Sequence, residues 1–177
     1  MRLLMVMTLL ISLSGCSAID MQQYSANQPA LNLYDYFQGQ TKGWGIVQDR
    51  KGQLTRQFTV AITGTVDDDG TLTLAEKFDW SDGEKSQRTW LLSKMDAHNY
   101  TGRAEDVVNT ASGTLYGNVL NWQYVLNLKV DETDWKIAFD DWMFLVDDGL
   151  LLNKATMSKF GFKVGEITIV FQKLTKL

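Results

Sequence analysis

A chain of 177 residues is long enough for one domain with a sizeable core and too short for two comfortable ones. Its 17 basic residues against 21 acidic ones leave a net charge of −4, without the basic footprint that phosphate contacts require, so no nucleic acid is expected as a partner. One cysteine allows no intrachain disulfide, and with a single histidine, His98, the set is too small for a Cys/His zinc site, so no metal and no cofactor is expected.

In chain order, Arg2 and the amino terminus make a basic start, residues 3–13 an apolar run, and Ser14-Gly15 a step of small residues before Cys16. The run is well short of the roughly twenty residues that span a bilayer as a helix. The pattern resembles a bacterial lipoprotein signal, or lipobox. The resemblance implies that residues 1–15 are removed and that Cys16, as the new first residue, carries a diacylglycerol and an acylated amine. Several acyl chains, each contributing about 0.8 kcal/mol per buried CH₂, hold a membrane far more firmly than one. Ser17, where an Asp would favour retention at the inner membrane, implies the outer membrane, with the domain on its periplasmic face. The alternative, a plain secretory signal, would leave a single oxidisable thiol exposed. Removal of Arg2 with the leader lowers the net charge by one, to −5. Residues 16–30 are polar without an apolar period and read as the lipidated cysteine and a flexible tether, leaving residues 31–177 for the domain.

After Pro29, Leu33, Tyr36 and Phe37 recur at i, i+3 and i+4, which predicts a short helical turn with one apolar face. From Gly39 the period changes to two. Leu54, Phe58, Val60, Ile62 and Val66 alternate with polar residues, as do Leu72, Leu74, Phe78 and Trp80, and Asp67-Asp68-Asp69-Gly70 between them has hairpin-turn chemistry. Further strands are predicted around Trp90 and Leu92, from Asn99, over 114–120 and 122–130 with a turn at Gly117-Asn118 or Leu120-Asn121, over 135–146 and over 166–173. Short connections and no long helix predict an all-β fold. The expected form is a single antiparallel up-and-down barrel of about 8 to 10 strands with a short N-terminal helical turn. Its architecture is lipocalin-like, and a barrel of this size can enclose one small ligand. Gly39 followed by Gly43-Trp44 is similar to the Gly-x-Trp opening of lipocalin strand A, with longer spacing and without the long helix that precedes the last lipocalin strand.

Four segments carry a closer resemblance: Phe-Asp-Trp-Ser-Asp-Gly-Glu at 78–84 with Arg88 and Trp90, residues 100–108, Phe-Asp-Asp-Trp-Met at 139–143, and Met-Ser-Lys-Phe-Gly at 157–161. Together with the lipobox they resemble a family of Gram-negative lipoproteins described as domain of unknown function number 3833. That resemblance covers nearly the whole chain. It implies an envelope location and transfers no activity and no catalytic residue.

Strand parity places Arg56, Glu76 and Arg88 on the inner face, Arg88 beside Trp90. Charges inside a small barrel are costly unless paired. One reading is a ligand-facing group, Arg56 or Arg88 meeting a fatty-acid carboxylate. The other is an ion pair of Arg88 with Glu76 or Asp106. Asp140 and Asp141 are neighbours on a strand, so they face opposite ways and form no dyad. Asp141 shares the inward parity, with Arg103 as a candidate partner and Trp142 beside it, whereas Asp147-Asp148-Gly149 reads as a turn. Residues 65–76 partly match a calcium loop, but Thr65 stands where an Asp belongs and strands flank it. Ser158 lies in no Gly-x-Ser-x-Gly elbow and no glycine-rich phosphate loop occurs, so no enzyme signature is found. The candidate ligand-binding set is Arg56, Glu76, Arg88, Trp90, Arg103, Asp106, Asp141 and Trp142. The expected function is an outer-membrane-anchored periplasmic lipoprotein that binds or handles a hydrophobic molecule such as a fatty acid or modified lipid. The alternative is a non-catalytic lipoprotein with a filled barrel that docks an envelope protein, because alternation of aromatic residues does not distinguish a filled barrel from a hollow one.

Overall fold

The computed structural model describes residues 19–130 and 133–174, so the leader, Cys16 and Ser17 lie outside the described residues. A single-turn 3-10 helix, Met21–Tyr24, and a short helix α1, Leu33–Phe37, precede ten strands: β1 (Gly39–Asp49), β2 (Leu54–Val66), β3 (Leu72–Trp80), β4 (Lys85–Lys94), β5 (Asn99–Arg103), β6 (Ala111–Tyr116), β7 (Val119–Val130), β8 (Thr133–Asp147), β9 (Leu150–Lys159) and β10 (Phe162–Leu174). Each strand pairs antiparallel with its neighbours in sequence and β1 closes on β10, giving the up-and-down barrel expected from alternation and leaving no free edge. Among the described residues no helix is long and apolar enough to cross a membrane.

The hairpin turns do what their residues require. At the β2–β3 turn the Asp67 carboxylate accepts from Thr71 N at 2.7 Å, and Gly70 takes a positive φ of 78° that L residues avoid. The turn between β6 and β7 falls at Gly117-Asn118, the first of the two predicted places. β9 escapes a reading by alternation because Leu150-Leu151-Leu152 puts apolar groups on both faces, while Leu151, Asn153 and Ala155 are the buried, inward set.

One end of the barrel is plugged. Asn32 starts α1 by accepting from Tyr34 N at 3.1 Å and Asp35 N at 3.3 Å, and the turn buries Leu33, Tyr36 and Phe37. Lys173 of β10 satisfies the open carbonyls of the helix, with Nζ donating to those of Tyr36 and Gln38 at 2.9 Å and also to that of Asp35. The Tyr36 hydroxyl lies 3.0 Å from the Phe171 carbonyl, and burial pushes it up to about 12, so it remains a donor at any physiological pH. Tyr34 fastens the other side by donating to the Gly70 carbonyl at 2.9 Å.

The expectation of a flexible tether through residue 30 is corrected from Asp20 onward. Asp20 caps the 3-10 turn, Tyr24 packs edge-on against Trp142 with ring centres 6.5 Å apart, Asn27 bonds Asn118 at 3.0 Å, and Leu31 N donates to the Gly117 carbonyl at 2.8 Å. A polar segment without a period can still dock when its backbone and a single aromatic find partners. Gly117 is required here, since any Cβ at that position would run into the Tyr24 carbonyl.

Candidate functional site

The barrel is hollow. Above the α1 plug a cavity of about 580 Å³ extends towards the opposite end, a volume within the range of small-molecule sites. Leu33 and Phe37 form its floor. On one wall Phe58, Phe78 and Trp80 cluster with centroids 4.8 to 6.0 Å apart. On another, Trp90 meets Trp122 and Tyr124 edge-on at 5.8 and 5.3 Å, and Tyr124 stacks on Phe139 at 4.9 Å. Trp122 lies flat against the wall because Gly102 and Gly113 leave room for its ring; a Cβ on Gly102 would come within 2.5 Å of it.

Arg56 stands at the mouth, beside the β3–β4 turn. Its guanidinium meets Asp82 at 2.7 Å and Glu84 at 2.8 Å and lies 3.9 Å over the Trp80 ring, so it is engaged by a rim network.

Deeper in, a polar belt interrupts the apolar lining. Glu76 and Arg88 are cross-strand partners on β3 and β4, yet Arg88 turns to Asp106, with Nε and Nη2 donating to one carboxylate oxygen at 3.1 and 2.7 Å. Asp106 belongs to the β5–β6 connection. There residues 106–108 fill the gap left by two short strands: Asn127 N donates to the Asp106 carbonyl, and Val108 N to that of Val125. Across the cavity Asp141 on β8 accepts from Tyr124 Oη and Asn153 Nδ2, both at a long 3.4 Å. Burial pushes the Glu76 carboxyl up to about 7; Arg88 pulls the other way, and Asp106 and Asp141 add to the rise. Burial likewise lifts Asp141 to about 7 against the two weak hydrogen bonds. Tyr124 is held well above its ordinary value by burial and then by Asp141.

Six of the eight candidates therefore line the cavity: Arg56, Glu76, Arg88, Trp90, Asp106 and Asp141. The ion pair with Asp106 is the second of the two readings for Arg88. Two candidates are corrected. Arg103 has the parity opposite to buried Tyr100 and Gly102 and is exposed, so it does not partner Asp141. Trp142 has the parity opposite to Asp141. It lies on the outer face under Tyr24, its indole donating to Asp140 at 3.2 Å, and Asp140 also accepts from Asn121 and Gln123. Tyr124 and Asn153 are the polar partners of Asp141 in the cavity that sequence reasoning missed. Tyr124 shares parity with Trp122 and was there to be found; Asn153 lies on the strand that alternation does not reveal. Elsewhere, Thr65 and Glu76 sit on separate strands and Glu76 faces inward, so no calcium loop forms. His98 stacks on Tyr116 at 3.9 Å, outside the cavity.

A closed ten-strand meander with a plugged end and an apolar cavity defines a lipocalin-like β-barrel. The chain belongs to the family of proteins of unknown function DUF3833, whose model matches residues 10–173. None of the curated proteins matches it in sequence. Among solved structures it is similar to an S-type phycobiliprotein lyase, CPES, from Guillardia theta, with a TM-score of 0.61 at 9% identity over 81% of this chain and 92% of that one. It is also similar to a protein of unknown function from the DUF3598 family of Nostoc punctiforme, with a TM-score of 0.60 at 13% identity over 83% of this chain and 51% of the other. At such identities the likeness is one of fold.

Proposed function

We propose that this protein is a lipoprotein of the outer membrane, anchored on the periplasmic face through acyl chains on Cys16, that holds a hydrophobic molecule, a fatty acid or modified lipid, inside its barrel. The observation that carries the reading is the cavity of about 580 Å³ walled by Phe58, Phe78, Trp90, Trp122 and Phe139. A fold that needed only a filled core would have no use for a hollow this large, since close packing is worth more than space. Native mass spectrometry of the delipidated domain purified from its own host tests it. A co-purifying lipid mass is expected, and a clean apo mass counts against the reading. For the anchor, metabolic labelling with an alkyne fatty acid should mark the wild type and not Cys16→Ser.

A second reading, a non-catalytic protein that docks an envelope partner, draws on the β9–β10 hairpin tip, where Phe160 and Phe162 are 89% and 76% exposed. Trp142 and Met157 offer no such patch, since one is covered by Tyr24 and the other lines the cavity. A photo-crosslinker at Phe160 should give a discrete protein adduct in cells if this reading holds.

A further inference from the structure

We propose that the cavity prefers a ligand whose apolar body ends in a cationic, hydrogen-bond-donating head, an amphipathic amine, over one that ends in a carboxylate; this rests on the reading that the cavity binds a small molecule. Six polar groups reach the cavity at its middle depth, one from each of six elements: Glu76 from β3, Arg88 from β4, Asp106 from the β5–β6 connection, Tyr124 from β7, Asp141 from β8 and Asn153 from β9. Arg56 and Lys129 are the other cations of the lining, and both stand towards the mouth.

The unsatisfied atoms of this belt are all acceptors, whereas at the mouth Arg56 Nε is a buried donor without a partner among the described residues. Glu76 Oε2, Asp106 Oδ1, Asp141 Oδ1 and Asn153 Oδ1 are buried oxygens with no hydrogen-bond partner among the described residues, and all four belong to residues lining the cavity. Asn153 and Asp141 are more than nine-tenths buried, at 2% and 5% exposure, so their oxygens are aimed inward and away from bulk solvent. Buried acceptors without donors are costly, and a ligand that brings the donors recovers that cost.

Charge points the same way. The Arg88 guanidinium spends two of its donors on Asp106, so an incoming carboxylate would face Glu76, Asp106 and Asp141 with one cation already engaged. An ammonium would instead enter a belt that offers three acids and unpartnered acceptor oxygens. The upward-shifted Glu76 and Asp141 carboxyls agree, since burial raises each by more than Arg88 lowers it. A cation binding there favours the deprotonated acids and expels their protons. Of the two ligand types expected from the sequence, the free fatty acid fits this belt poorly and a lipid modified with an amine fits it well.

The full chain carrying Cys16→Ser, so that no acyl chain competes for the cavity, is titrated with decylamine, decanol and decanoate below their micellar concentrations, following tryptophan fluorescence. The expected order at pH 7.5 is decylamine tightest, at least tenfold over decanoate, with decanol between. Decylamine affinity should rise between pH 6 and pH 8. E76Q and D141N should each lose about tenfold for decylamine relative to decanol, and a near-UV circular dichroism spectrum like the parent's reports that the variant barrel is intact. Decanoate equal to or tighter than decylamine, or a preference unchanged in both variants, overturns the proposal and leaves the cavity reading standing. Failure of all three probes to bind overturns both.

Discussion

Glu76 carries a carboxyl whose chemistry departs from that of an exposed glutamate. Burial raises its carboxyl from an ordinary 4.5 to about 7, so between those values the folded chain binds a proton that the unfolded chain has released. Stability from this group is therefore fully present below about pH 4.5, falls as pH rises through the window, and levels off above 7. Asp141, raised to about 7, adds a slope of the same sign from about 3.8 upward. Gln at position 76 keeps the shape and cannot ionise. E76Q should be more stable than the wild type at pH 8 by on the order of 2 kcal/mol and nearly equal to it at pH 4.5. Urea unfolding at half-unit steps from pH 4.5 to 8 measures this, and a wild-type midpoint that is flat across the range would contradict it. Such a group is tolerated at a cost to the fold, which is the usual mark of a position kept for what it meets.

At the scale of elements, α1 is too short to be stable alone and exists because the barrel end completes it. Asn32 supplies its N-cap, Lys173 from the far end of the chain donates to its carbonyls, and Leu33, Tyr36 and Phe37 fill the opening. Lys173→Met removes the donor and leaves three carbonyls with weaker partners. A loss of about 1–2 kcal/mol is expected, with faster amide exchange confined to residues 33–38; uniform exchange across the barrel would show that the plug is not a separable element. The helix was legible from Leu33, Tyr36 and Phe37, but its cap was not, because nothing local links residue 173 to residue 36. The strands and their inner faces were legible for the same local reason. A period of two places Arg56, Glu76, Arg88 and Asp141 inside whatever the pairing partners are. That rule also separates Asp141 from Trp142, and Tyr100 and Gly102 from Arg103. Trp142 was a candidate as the sequence neighbour of Asp141, which a strand converts into opposite faces; Arg103 was a candidate as a charge complementary to Asp141, and complementarity says nothing about face. Asp106 lies in no alternating strand, and the Tyr124–Asn153 pair around Asp141 needs two strands in register, so only the fold brings them together.

For the whole molecule, the two ends of the barrel differ, one plugged and one open, and on the proposed anchor the N-terminal segment would decide which of them faces the lipid. Tyr24, Asn27 and Leu31 attach beside Trp142, Asn118 and Gly117, at the same end as α1 and the β8–β9 turn. From Asp20 back to Cys16 an extended chain reaches about 15 Å at most. On the proposed anchor, an acylated Cys16 would hold the plugged end against the bilayer. The mouth lies a strand length away, roughly 30 Å for about thirteen tilted residues, and with it the exposed Phe160 and Phe162. In that proposed arrangement the cavity would not load by sinking its mouth into the anchoring leaflet, and exchange would take place on the aqueous side, where the Phe160–Phe162 tip projects. Fluorophores attached at Asp148 and at Gly161 of the lipidated protein in vesicles containing nitroxide-labelled lipid separate the two orientations. Strong quenching at 148 and little at 161 is expected. Quenching concentrated at 161 would mean that the barrel lies mouth-down and that the contacts made by residues 24–31 give way at the membrane.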